Sequence, residues 1–130
     1  GYHFPLHCGS KGQVLLAYST AQEIEEFLSG PLESLTSETV TQPKMLREYL
    51  REIRSRGYAQ TIGDVQHFTG SLSAPVFDRT HQVIGAVCFI TARSAFRDAA
   101  QVETMLETLL RTAQSASLAL GWRPGGAPQG

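Results

Sequence analysis

The chain has 130 residues, 42% of them hydrophobic and 18% charged, with a formal net charge of −1. That length suits one domain, and the balance is that of an ordinary soluble globular fold. No apolar run reaches the roughly 20 residues of a membrane span, and no charged-then-apolar leader opens the chain, so no membrane partner is expected. The near-zero charge leaves little room for the basic patch that neutralises phosphates, so this chain is not expected to bind DNA by itself. Two cysteines, Cys8 and Cys88, fall short of a disulfide framework or a four-ligand zinc site, which points to a reducing cytoplasm.

The helical spacing of Val14, Leu15 and Tyr18 predicts a first helix from about Ser10 to Tyr18, its start crowded by Gly9 and Gly12. Thr20-Ala21-Gln22-Glu23 then reads as a capping box, in which the Thr20 hydroxyl meets the Glu23 amide and the Glu23 carboxylate reaches back. Ile24, Phe27 and Leu28 form the buried stripe of this second helix, and Gly30-Pro31 ends it. Residues 31–42 are a loop rich in Ser and Thr. Pro43 suits a first helical position, and Met45, Leu46, Tyr49, Leu50 and Ile53 share one face of the third helix. Glu52 and Arg56 are spaced for an ion pair, and Gly57 closes the helix as a left-handed cap.

From Gly57 the period changes to two. Tyr58 to Ile62 reads as a strand, and in the next one Leu72, Ala74 and Val76 alternate with Ser71, Ser73 and Phe77. Residues 78–82 are a polar turn. Val83 to Ile90 is almost continuously apolar, which predicts a strand at the centre of its sheet. A long helix follows, with Asp98 as N-cap, Gly121 as C-cap, and a stripe of Val102, Met105, Leu106, Leu109, Leu110, Ala113 and Leu120. The Pro/Gly-rich tail from Arg123 to Gly130 is expected to fray. Helices, then strands, then a helix make an α+β domain.

Five groups of residues invite chemistry. Cys8-Gly9-Ser10-Lys11 leads into a helix whose free amides and dipole can hold an anion, although Ser10 capping its own helix explains the same residues. Cys88 and Ile90 share one strand face, where they line a pocket or simply fill a core. Ser71 and Ser73 share a face too, toward a pocket or toward water. Cys8 beside His7, with His67 and His81 elsewhere, suggests a Cys–His nucleophile, but neighbouring side chains point apart and no third orienting group is apparent. His3, His7, Cys8 and His67 are irregularly spaced for zinc. We therefore expect no enzyme activity, no metal and no cofactor.

The order of several strings is more specific. Pro5-Leu6-His7 leads into Gly12-Gln13-Val14-Leu15-Leu16-Ala17, followed by Pro31-Leu32-Glu33-Ser34-Leu35-Thr36 and Thr39-Val40-Thr41-Gln42-Pro43. Ile53-Arg54-Ser55-Arg56-Gly57-Tyr58-Ala59 and Ala74-Pro75-Val76-Phe77-Asp78 come next. Together, across most of residues 5–122, they resemble the C-terminal, effector-binding domain of IclR-type transcriptional regulators. The resemblance implies a GAF-like sensor domain over residues 1–122, with 123–130 a flexible tail. It implies a small-molecule effector, often a carboxylate, and self-association as a dimer or tetramer. DNA contact would come only through a winged helix-turn-helix upstream, which this chain lacks.

The sequence departs from the family pattern at the pocket. Gly12-Gln13-Val14 stands where Gly-Lys-Ala is common, and Thr61-Ile62-Gly63-Asp64 where an Asp-Asp-Glu-Glu run is usual, with Phe68 at the place of a glycine. Relatives that sense small keto acids carry Asp at the place of Thr61, Cys at that of Ser71, and Ser at those of Cys88 and Ile90. The implied site is Gly9, Ser10 and Lys11 around an anionic head group, with Thr61, Ser71, Cys88 and Ile90 lining the rest. These changes favour a carboxylate with a larger apolar body. The competing reading is a GAF-like module that has lost its ligand and only oligomerises.

Overall fold

The structure is a computed structural model that describes residues 5–125; His3 and tail residues 126–130 lie outside that range. Its elements run α1 (Ser10–Ala17), α2 (Ala21–Leu28), α3 (Pro43–Arg56), β1 (Ala59–Ile62), β2 (Thr69–Phe77), β3 (Val83–Ala92), a 3-10 turn (Arg93–Arg97) and α4 (Ala99–Ala119). Local chemistry accounts for most of the boundaries. The capping box at Thr20 forms in both directions, at 3.1 Å each way, and Gly57 closes α3 at φ 87°. Asp98 caps α4 by accepting the amides of Ala100 and Gln101, and Gly121 follows the helix at φ 93°. In the polar turn, Asp78 Oδ1 accepts the amides of Thr80 and Gln82 and the Thr80 hydroxyl.

The three strands form an antiparallel sheet in the order β1-β2-β3. Alternation along β2 sends Leu72, Ala74 and Val76 to one face, where they pack on Leu109 and Ala113 of α4. The opposite face looks toward α1 and α3, whose buried Val14, Leu16, Ala17, Leu46, Leu50 and Ile53 form a second core with Leu28 and Ala59. The sheet is thus covered on both sides, and the α+β reading holds.

Several expectations need correction. β3 is an edge strand, not the central one: β2 pairs with both neighbours, and Ile84 and Ile90 of β3 are 56% and 71% exposed. No residue of β3 is fully buried, and an apolar run by itself does not say whether a partner strand lies alongside. The α4 stripe is rotated, so that Ser117 joins Leu109 and Ala113 in the interior while Leu110 and Leu120 are exposed. In α3, Met45 and Tyr49 are exposed, and Arg56 donates to the Tyr58 carbonyl instead of pairing with Glu52. In α1 the buried hydrophobic residues are Val14, Leu16 and Ala17, with Leu15 and Tyr18 only half-buried.

Candidate functional site

The N-terminus of α1 points at the sheet near the middle of β2. Gly9, at φ 80°, turns the chain into the helix with no side-chain cap, and Ser10 is the first helical residue. Gly12 lets the Leu6 backbone lie against this first turn; a Cβ there would stand 2.5 Å from the Leu6 carbonyl oxygen. Ser10 does not cap its own helix. Its hydroxyl donates to Ser71 Oγ at 2.7 Å and lies 2.7 Å from Ser73 Oγ.

A chain of hydroxyls results, built by register. Thr61 stands opposite Ser71 on β1, and Ser73 stands opposite Cys88 on β3. Ser71 Oγ accepts from the Ser10 hydroxyl and from the Ser10 amide, the latter at 3.3 Å, which uses both lone pairs. Its own proton therefore goes to Thr61 Oγ1, 3.0 Å away, and leaves the Thr61 proton as the free end of the chain. Cys88 Sγ closes the other side, 4.0 Å from Ser10 Oγ. All four hydroxyl residues are buried. Ser71 and Ser73 thus face the polar interior and not water.

Beside this network lies a cavity of about 500 Å³. It is bordered by every residue of the sequence-derived site: Gly9, Ser10, Lys11, Thr61, Ser71, Cys88 and Ile90. Its exposed walls are mostly carbon, from Leu6, Leu15, Val65 and Ile90. Ile90 sits at the mouth, on the open edge of the sheet, instead of deep in the wall. A smaller hollow of about 310 Å³ borders Thr61 and Asp64 as well.

Two of the amides that sequence reasoning gives to an anion are used by the protein. The Gly9 amide donates to Asp64 Oδ2 at 2.7 Å, and the Ser10 amide to Ser71. The amides of Lys11 and Gly12 have no partner among the described residues and belong to the same helix end, which borders the cavity. Asp64 is the residue that sequence reasoning missed. Its signal was the acidic run that Thr61-Ile62-Gly63-Asp64 replaces, of which Asp64 is the one acidic member left.

The loop that carries Asp64 is fixed from outside. Thr36 Oγ1 donates to the Gly63 carbonyl and Thr39 Oγ1 to the Asp64 carbonyl, at 2.5 and 2.6 Å. Arg93 holds Glu38 through both guanidinium nitrogens at 2.6 Å and also reaches the His67 carbonyl. The Ser/Thr-rich loop is therefore a brace for the cavity wall.

His7 and Cys8 are buried just before Gly9. His7 Nε2 lies 2.6 Å from the Glu33 carbonyl oxygen, to which it donates, and the Cys8 thiol lies 3.9 Å from the same oxygen. Burial, with the Asp64 and Glu33 charges nearby, pushes the Cys8 thiol up to about 11. A thiol so placed is protonated at neutral pH and is a poor nucleophile. His67 lies instead against Glu38 on the surface, 3.6 Å away.

Residues 1–118 match the family model described as "Bacterial transcriptional regulator IclR C-terminal". The glycerol operon regulatory protein of Streptomyces griseus is 36% identical over 87 residues, 67% of this chain and 34% of that protein. Among solved structures, the IclR protein of Thermotoga maritima superposes with a TM-score of 0.83 at 26% identity, over 90% of this chain and 47% of that one. An IclR homologue from Microbacterium hydrocarbonoxydans, crystallised with 4-hydroxybenzoate, gives 0.81 at 29%, over 90% of this chain and 46% of that one. The chain thus spans from a third to about half the length of these relatives. It belongs to the IclR family of bacterial transcriptional regulators, as their C-terminal, effector-binding domain with a GAF-like fold.

Proposed function

We propose that this domain senses a small organic acid with an apolar body, held in the cavity between α1 and the sheet. The observation that carries the reading is the juxtaposition in one cavity of a helix N-terminus with two unpartnered amides, at Lys11 and Gly12, and walls of mostly carbon. Amides and dipole favour a carboxylate. The remaining surface rewards an apolar body by about 25 cal/mol per Å² removed from water. The relative that holds 4-hydroxybenzoate, an acid of this type, supports the same class of ligand.

Cys88 and Ile90 offer no hydroxyl to a very small keto acid, and a buried oxygen left without a partner costs about 1–3 kcal/mol. Pyruvate should therefore bind at least roughly tenfold worse than benzoate or phenylacetate in calorimetric titration. Binding of pyruvate with no response to any larger acid would overturn the assignment. Silence toward every acid would favour the reading of a pure oligomerisation module.

Occupancy can act on a regulator only by favouring one arrangement of its parts over another. We place DNA contact in the part of the larger protein outside this chain, and expect the domain to self-associate as a dimer or tetramer. Among the described residues the outer edge of β3 is unpaired, with Ile84 and Ile90 exposed on it, which supports the second point. Sedimentation at micromolar concentration should show dimers or larger, and a monomer would count against it.

A further inference from the structure

Asp64 places a negative charge where the proposed acid head group must sit. The residue is only 7% exposed, yet among the described residues no Lys, Arg or His forms an ion pair with it. Oδ2 accepts one bond, from the Gly9 amide. Oδ1 has no partner among the described residues, yet it is not sealed in, since the one buried side-chain polar atom without a partner among them is His7 Nδ1. Asp64 borders both the large cavity and the smaller hollow beside it, so this oxygen is an acceptor left open in the wall they share.

A plain carboxylate on the amides of Lys11 and Gly12 would arrive within one helical turn of this charge, in a region partly shielded from water. Like charges brought together there disfavour binding. A hydrogen-bond donor on the effector, beside its carboxylate, changes the balance. The donor satisfies Asp64 Oδ1 and the acid takes the free amides, so that acceptor, donor and helix end are all used.

We infer that the effector is a hydroxy acid with an apolar body, its hydroxyl on or next to the carbon that bears the carboxylate, and that Asp64 selects it by accepting that hydroxyl. This deepens the proposed function and rests on it. The rigid placement of Asp64 fits a selecting role: Thr36 and Thr39 hold its backbone on one side and Gly9 holds its side chain on the other. The proximity of its charge to the first turn is seen again in the Cys8 thiol, which it helps to keep protonated.

The test uses matched pairs that differ by one hydroxyl: mandelate against phenylacetate, and 3-phenyllactate against 3-phenylpropionate. Calorimetric titration of the chain should show the hydroxy acid of each pair binding roughly tenfold tighter or more, the range of a hydrogen bond to a charged group. In Asp64→Ala, which leaves no acceptor there, the preference should fall below roughly threefold, and the plain acids should bind tighter than they do to the wild type, because the repelling charge is gone. Should Asp64→Ala not fold, Asp64→Val serves the same purpose, and the wild-type pairs alone remain decisive. Equal binding within each pair would overturn the inference while leaving the acid-sensing reading intact, as would a hydroxyl preference that survives in Asp64→Ala. Failure of all four acids, or binding of a neutral phenyl diol in their place, would instead overturn the acid-sensing reading on which the inference rests.

Discussion

The two faces of β2 come from alternate residues of one nine-residue strand, and they are built to different standards. Toward α4 the strand presents Leu72, Ala74 and Val76, closed by Leu109 and Ala113 with carbon on carbon. Toward α1 it presents Ser71 and Ser73, which meet Ser10 and Thr61 through hydroxyls and leave a cavity of about 500 Å³ beside them. A core optimised for stability is filled to crystal-like density. One that must admit a ligand keeps space and directed polar groups, and draws its stability from elsewhere. On this comparison the α4 face is the foundation and the α1 face is the instrument.

The largest effect should therefore come from the carbon face. Leu109 is fully buried, and Leu109→Ala removes its side chain from the packed cluster it shares with Leu72, Ala74, Val76 and Ala113. The expected loss is about 2–5 kcal/mol in urea unfolding, with ligand affinity of the remaining folded protein unchanged. A loss below about 1 kcal/mol would mean that the two faces do not differ in the way described.

The hydroxyl face should respond less in stability and more in binding. Ser10→Ala removes the centre of the chain and strands Ser73 Oγ, which bonds to Ser10 Oγ, in a fully buried position. About 1–3 kcal/mol should be lost. Adding Ser73→Ala removes the stranded hydroxyl as well, so the double variant should be less destabilised than the sum of the two single ones. Additive losses would show that the two hydroxyls are not coupled.

The same contrast decides what could be read in the sequence. Signals that act within one turn were legible: the capping box at Thr20, the left-handed Gly57, the Asp98 cap, the polar turn at Asp78. Alternation separated Leu72 from Ser71 but could not say whether the serines met water or protein, because that depends on where α1 lies. The seven site residues carried over by resemblance do surround one cavity. Asp64 stayed hidden because it reaches Gly9 across 55 positions of chain, through a turn at Gly63 held at φ 72°. The edge position of β3 stayed hidden for a related reason. Hydrophobicity reports the faces of a strand, and pairing is decided by chain elsewhere.

The smallest effect should arise at the brace outside the cavity, where polar groups meet in solvent. Arg93 holds Glu38 bidentately and also donates to the His67 carbonyl, so the pair ties the loop of residues 31–42 to the loop that carries Asp64. An exposed ion pair contributes little to global stability, since solvent screens it and two long side chains must be ordered to form it. The Arg93 guanidinium, with help from His67, holds the Glu38 carboxyl below its ordinary value of 4.5. With the folded value lowered, the stabilisation is present above about 4.5 and is lost as the pH falls through the lowered value. Glu38→Gln should therefore leave the midpoint of thermal unfolding at neutral pH almost unmoved. It should instead speed amide hydrogen exchange in residues 63–68, and acidification of the wild type should reproduce that local change before global unfolding begins. Unchanged exchange in those amides would show that Thr36 and Thr39 hold the cavity wall by themselves.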